Sequence, residues 1–165
     1  MRDQAALLVL TSDPNGHGAR ALAARFRATL HDAFEQVVIL PRQDAREYYA
    51  LVQASDVLLD PPYFGGVNTT YDGFSFGKPI VTCPSAYHRG RYTLGCYRKM
   101  GIDDCIAVDR RDYVELACRL GTDRDLRQAV SHEILERSEL LFEDEGAVRE
   151  HERLFESMIA EQSAA

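Results

Sequence analysis

The sequence predicts an α/β domain in which a parallel sheet is flanked by helices and the chain ends in consecutive helices. Three observations carry this expectation. Short β-rich runs alternate with helical patterns, the helical stretches repeat apolar residues every three or four positions, and the alternation stops after residue 108. At 165 residues the chain fits one domain spanning 1–165, because a core of that size buries most of the surface the unfolded chain exposes.

The β-rich runs fall at residues 7–11, 37–40, 57–59, 80–83 and 105–108. Between the first two, Leu22, Phe26 and Leu30 recur every four residues and give a helix one apolar face. Gly16-His17-Gly18 ahead of that helix has neither G-x-G-x-x-G nor Walker spacing, and loop flexibility accounts for it. Asp44 is a candidate N-cap for a helix that carries Tyr48, Leu51 and Val52 inward. The run 57–59 ends at Asp60 and a double proline, Gly65-Gly66 lets the backbone turn closely, and a short helix is expected to start near Thr69. Past the last run, Thr122 and Asp125 form a capping-box pattern ahead of Leu126, Val130 and Ile134. A final helix is expected over 147–160, with Glu143-Asp144-Glu145 as a solvated turn before it. The whole pattern is Rossmann-like.

Bulk properties exclude several classes. Hydrophobic residues at 45% and charged residues at 27% are globular values. The longest apolar runs, 5–10 and 37–40, are strand-length and too short to span a bilayer, and Asp3 interrupts any secretory leader. A net charge of −7 argues against a nucleic-acid backbone or an anionic membrane as the main partner. Cys83, Cys96, Cys105 and Cys118 form no C-x-x-C pair and the five histidines are scattered. No metal site is therefore expected, and reduced thiols fit a cytoplasmic protein.

The chemistry is concentrated in DVLLDPPYFGGVNTTYDGFSFGKPIVTCP, residues 56–84. Exposed amides at a helix start, together with the positive end of its dipole, suit a phosphate or diphosphate. In an open α/β sheet such a strand-to-helix loop lies at the carboxyl edge, where ligands bind. Asp72 would repel a phosphate, and about one turn into the helix it is better placed to accept hydrogen bonds from ribose hydroxyls. The blander reading makes Thr69 and Asp72 a T-x-x-D capping box. The Gly65-Gly66 approach, the Gly77-Lys78-Pro79 exit and the buried run after it favour a ligand site, since a capping box needs none of them.

Read from Gly65 to Pro84, the pattern G-G-x-x-T-x-x-D-x-x-x-x-G-x-P-x-V-T-x-P resembles the donor-site motif of GT-B glycosyltransferases. Within that superfamily it is most similar to the SPINDLY group of protein O-GlcNAc transferases. Supporting residues are ASDVLLD at 54–60, Arg89-Gly90-Arg91, YRKMG at 97–101 and YVELACRLGT at 113–122, and the likeness covers about residue 43 to the end. The resemblance implies the C-terminal, donor-binding half of a GT-B fold, taking part in inverting transfer of GlcNAc from UDP-GlcNAc to protein Ser or Thr. It implies no metal and no cofactor beyond the UDP-sugar, which is a substrate. The partners it implies are an upstream acceptor domain with helical repeats, and a protein acceptor. The family's phosphate-contacting lysine would also lie upstream.

Carried over by position, Gly66, Asn68, Thr69 and Thr70 stand where the family binds the diphosphate, and Asp72 stands at the ribose-binding acid. The His-Thr-Thr of the animal enzymes is replaced by Val67-Asn68-Thr69 or Asn68-Thr69-Thr70, which leaves the histidine without a counterpart. Gln43 lies in the loop that recognises the base, and Tyr48 either contacts the base or completes a helix's apolar face. Arg91 matches a position suited to a departing diphosphate, whereas Arg89 and His88 read as exposed loop residues, and no catalytic base is assigned. Two other readings stay open: a GT-B half acting on a lipid, glycan or small molecule, and a nucleotide- or partner-binding module without activity.

Overall fold

The computed structural model describes residues 5–163. The first four and last two positions of the expected 1–165 domain, Asp3 among them, lie outside the described residues. The chain opens with β1 (Leu8–Thr11), α1 (His17–Leu30) and β2 (Val37–Leu40). β1 and β2 pair in parallel, from Leu8 opposite Val37 to Thr11 opposite Leu40. Leu22, Phe26 and Leu30 are half-buried as the periodicity requires, yet no residue of this unit is fully buried. α2 (Ala45–Ala54) begins at Asp44, whose side chain accepts from the Glu47 amide at 2.8 Å while Glu47 accepts from the Asp44 amide at 2.9 Å. That reciprocal pair fixes the start of α2 and turns Val52 into the core, with Tyr48 and Leu51 half-buried.

A second parallel pair follows, formed by β3 (Leu58–Leu59) and β4 (Ile80–Val81) around α3 (Asn68–Ser75). α3 lies close on these strands because Gly73 has no side chain. A Cβ there would stand 2.7 Å from Leu58 Cδ1 and 2.9 Å from Ile80 Cδ1. The chain then runs through α4 (Tyr92–Met100), α5 (Arg110–Thr122), α6 (Arg124–Arg137) and α7 (Glu145–Ser163).

Several expectations need correction. The run 105–108 is not a strand but a single parallel bridge, Thr82 with Ile106. Its reason is local: Ile106 closes a turn onto the Asp103 carbonyl, and Asp109 already caps α5, so little extended chain remains between them. The described strands therefore form two parallel pairs plus this bridge. Thr122 does not start the last helices. It ends α5, its hydroxyl bonded back to the Cys118 carbonyl, and Asp123 caps α6 by accepting from the Leu126 amide at 3.0 Å. Asp144 is not a bare solvated turn, because it pairs with Lys99 and accepts from the Ala147 amide at the start of α7.

The core is assembled from β4, α3 and the consecutive helices, with Phe74, Val81, Tyr97, Ile102, Leu120 and Ile134 at its centre. Tyr97 does more than fill space. Its hydroxyl accepts from the Ile80 amide at 2.8 Å and donates to the Ile80 carbonyl at 3.0 Å. One phenol thus satisfies the Ile80 amide and carbonyl, while β3 bonds the Pro79 and Val81 carbonyls on either side of them.

The same packing predicts thiol reactivity. Cys118 is exposed, Cys83 half-buried, and Cys96 and Cys105 buried. Burial pushes the Cys105 thiol up to about 11, so the reactive thiolate is scarce there. Native-state alkylation at about pH 8 followed by mass spectrometry is expected to label Cys118 first and Cys105 only after unfolding. Early labelling of Cys105 would contradict this packing.

Candidate functional site

The site grows from the loop between β3 and α3. Asp60, at the end of β3, is 5% exposed and its carboxylate accepts from the Gly66 amide at 2.9 Å and the Thr82 hydroxyl at 2.8 Å. A buried carboxylate needs such donors, and here they tie the glycine turn to β4. The Gly65 amide bonds the Arg89 carbonyl at 2.8 Å, which joins this loop to the 3₁₀ turn His88–Gly90. Gly66 has no room for a side chain, because a Cβ would collide with the hydroxyls of Thr69 and Thr70.

The helix starts divide into two kinds. Aspartates occupy the first-turn amides of α1 (Asp13), α2 (Asp44), α5 (Asp109), α6 (Asp123) and α7 (Asp144). α3 and α4, whose N-caps are Val67 and Arg91, have no side-chain cap. At α3 the amides of Asn68 and Thr69 have no partner among the described residues. Open amides at the positive end of a helix attract an anion. The Gly16-His17-Gly18 loop presents no such opening. Desolvation acts to raise the Asp13 carboxyl, but amide hydrogen bonds from Ala19, Asp13 itself, His17 and Gly18 outweigh it and hold the group ionised below its ordinary range.

The sequence-predicted residues fall into distinct places. Asn68 and Thr69 are exposed on the first turn of α3, which starts one residue earlier than expected. Thr70 is turned inward: it is 3% exposed, its hydroxyl lies 3.1 Å from the Thr93 hydroxyl, and its amide bonds the Val67 carbonyl. Its side chain helps hold α3 against α4. No capping box joins Thr69 to Asp72, whose half-buried carboxylate accepts no hydrogen bond among the described residues. Tyr48 stands near Asp72. Burial raises the Tyr48 phenol first, and the Asp72 charge raises it further. Gln43 stays on its own loop, its amide donating to the Pro41 carbonyl at 2.7 Å and leaving its side-chain oxygen free.

On the Val67 and Tyr71 side of α3 lies an open cavity of about 690 Å³. Arg91 lines it from the start of α4 and makes no ion pair among the described residues. His88 lines it too, its Nδ1 3.2 Å from the Tyr92 hydroxyl. Arg89 instead stacks over the exposed Tyr87 ring at 4.6 Å. Sequence reasoning missed Asp60, Tyr71 and Lys99. Asp60 had one signal, its place between a β-run and a double proline, whereas Lys99 enters only once 92–100 is known to be helical. The described residues contain no group of three or more metal-ligating side chains, and no helix among them is long and apolar enough to cross a membrane.

A model of the family described as Glycosyl transferase family 41 matches residues 12–145. The chain is 37% identical over 73 residues to a UDP-N-acetylglucosamine–peptide N-acetylglucosaminyltransferase of Caenorhabditis elegans, covering 44% of this chain and 6% of that protein. It is 28% identical over 86 residues to a SPINDLY protein of Solanum lycopersicum, covering 52% of this chain and 9% of that one. Among solved structures, an O-GlcNAc transferase mutant of Thermobaculum terrenum superposes with a TM-score of 0.80 at 23% identity, covering 96% of this chain and 32% of that one. That last likeness is one of fold. The matched stretches cover less than a tenth of the length of these curated relatives.

Proposed function

Since the chain belongs to glycosyl transferase family 41, we propose that it supplies the donor-binding half of a GT-B enzyme that transfers GlcNAc from UDP-GlcNAc to Ser or Thr of a protein. The observation that carries this reading is the uncapped start of α3, with the open Asn68 and Thr69 amides beside the unbonded Asp72 carboxylate and Tyr48. In this arrangement the diphosphate takes the Asn68 and Thr69 amides, and Gly66 keeps the loop low enough for it to approach. Asp72 accepts from the ribose hydroxyls. Tyr48 and the free oxygen of Gln43 face the base. Thr70 contributes by fixing the helix rather than by touching the ligand. Arg91 meets the negative charge that grows as the bond from the sugar's anomeric carbon to the diphosphate breaks and UDP leaves with its electron pair. No divalent cation is assigned a part. The acceptor hydroxyl belongs to the protein substrate, and no group of this chain is assigned to take its proton. A cytoplasmic setting accords with the four free cysteines.

The test is calorimetry of the 165-residue chain with UDP, ADP and GDP without added metal. UDP is expected to bind in the micromolar to millimolar range, about −4 to −8 kcal/mol, and more tightly than the other two. The same chain is expected to transfer no sugar to peptide unaided, because one half of a GT-B cleft neither holds the acceptor hydroxyl in line for attack nor excludes water. Equal affinity for the three nucleotides would remove the uridine assignment.

A further inference from the structure

The cavity on the Val67 and Tyr71 side of α3 has neither Asp72 nor Tyr48 in its lining, and of the residues that line it the donor reading uses only Arg91. One face of α4 forms its wall through Tyr92, Gly95, Cys96 and Lys99, spaced as neighbours along a helix. Val67, Tyr71 and Leu141 also line it. The lining is therefore largely apolar and aromatic. Its charged members are Arg91 and Lys99, joined by the titratable His88, and no carboxylate lines it. In a protein with a net charge of −7, a recess whose charges are all cationic is a concentrated exception. Lys99 lies close enough to Tyr71 and Cys96 to act on both electrostatically, and it is held by one acid outside the lining, Asp144.

We propose that this cavity receives the acceptor polypeptide, gripping an acidic side chain through Lys99 while an adjacent apolar side chain lies against Tyr71, Tyr92 and Leu141. The inference rests on the peptide-transferase reading above and names the acceptor class it would favour. The cavity sits directly beside the open start of α3, so a polypeptide bound there passes the diphosphate end of the donor. Asp144 then acts as a stand-in acid: the incoming carboxylate takes over Lys99, and Asp144 keeps its other task of capping α7.

The experiment uses fluorescence anisotropy of a labelled peptide rich in Glu and Leu, and of the same peptide with every Glu replaced by Gln, against the 165-residue chain. The acidic peptide is expected to bind at least about tenfold more tightly than its Gln counterpart. Lys99→Gln should remove most of that difference and leave UDP affinity in place. Asp144→Asn should act in the opposite direction and tighten the acidic peptide several-fold, since Asn still caps a helix while releasing Lys99. A merely destabilised chain would not give that reversal of sign. Equal binding of the two peptides overturns the proposal, as does a Lys99→Gln variant that loses UDP affinity as strongly as peptide affinity, which would assign Lys99 to the donor. Absence of UDP binding with acidic-peptide binding intact would sink the donor reading and leave the cavity assignment standing.

Discussion

Asp60→Ala is expected to destabilise the chain by about 3 kcal/mol and to abolish nucleotide binding, although Asp60 lies behind the site. Its carboxylate is buried and satisfies two donors from separate segments, the Gly66 amide and the Thr82 hydroxyl. Truncation leaves both donors without an acceptor in a region water does not readily reach, and each charged hydrogen bond lost accounts for roughly 1.5–3 kcal/mol, with incomplete additivity. The loop that presents the open start of α3 then loses its tether to β4. Asp60→Asn is the control: its amide can accept from one donor but turns an NH₂ toward the other, so an intermediate loss is expected. Urea unfolding and UDP titration on the same variants check both effects. A fully stable Asp60→Ala variant that binds UDP normally would show that the tether is dispensable.

The second large effect concerns Asp72. Asp72→Asn is expected to weaken UDP binding by roughly 1.5–3 kcal/mol, about ten- to a hundredfold, with stability nearly unchanged. Stability should hold because this carboxylate neither caps α3 nor accepts a hydrogen bond among the described residues, so folding does not depend on its charge. Use of 2′,3′-dideoxy-UDP isolates the ribose contact. The substitution should leave affinity for that ligand almost untouched, and an equal loss for both ligands would exclude a ribose-binding role even if Asp72 proved important.

How much of this was legible in the sequence depended on whether the information was local. The pattern Leu22, Phe26, Leu30 and the N-cap residue Asp44 announce α1 and α2 because a helix repeats its environment every turn and a cap acts within its first turn. The Gly-Gly approach to α3 could be read for the same reason. α4 could not: Tyr92–Met100 contains Gly95 and the β-branched Thr93, so its intrinsic helical preference is weak. Burial of Leu94, Tyr97 and Met100 decides its structure. At the α5 to α6 junction, Thr122 and Asp123 are both competent caps, and only packing selects the second. The proposed donor-site residues rest on a motif, but the inward turn of Thr70 depends on Thr93, and the role of Asp60 depends on Thr82. Such pairings across more than twenty positions leave no periodic trace.

Asp13 gives the loop after β1 a different meaning from the loop after β3. Both join a strand to a helix through glycine, and an arriving phosphate could in principle try either one. At α1 the Gly18 and Ala19 amides already hold a carboxylate from the same chain. A tethered occupant competes at an effective concentration of the order of millimolar or more, without the association entropy a free anion must lose. The α1 loop thus carries its own occupant, and under the proposed donor reading selectivity between the two loops arises by exclusion, the seat at α1 being taken.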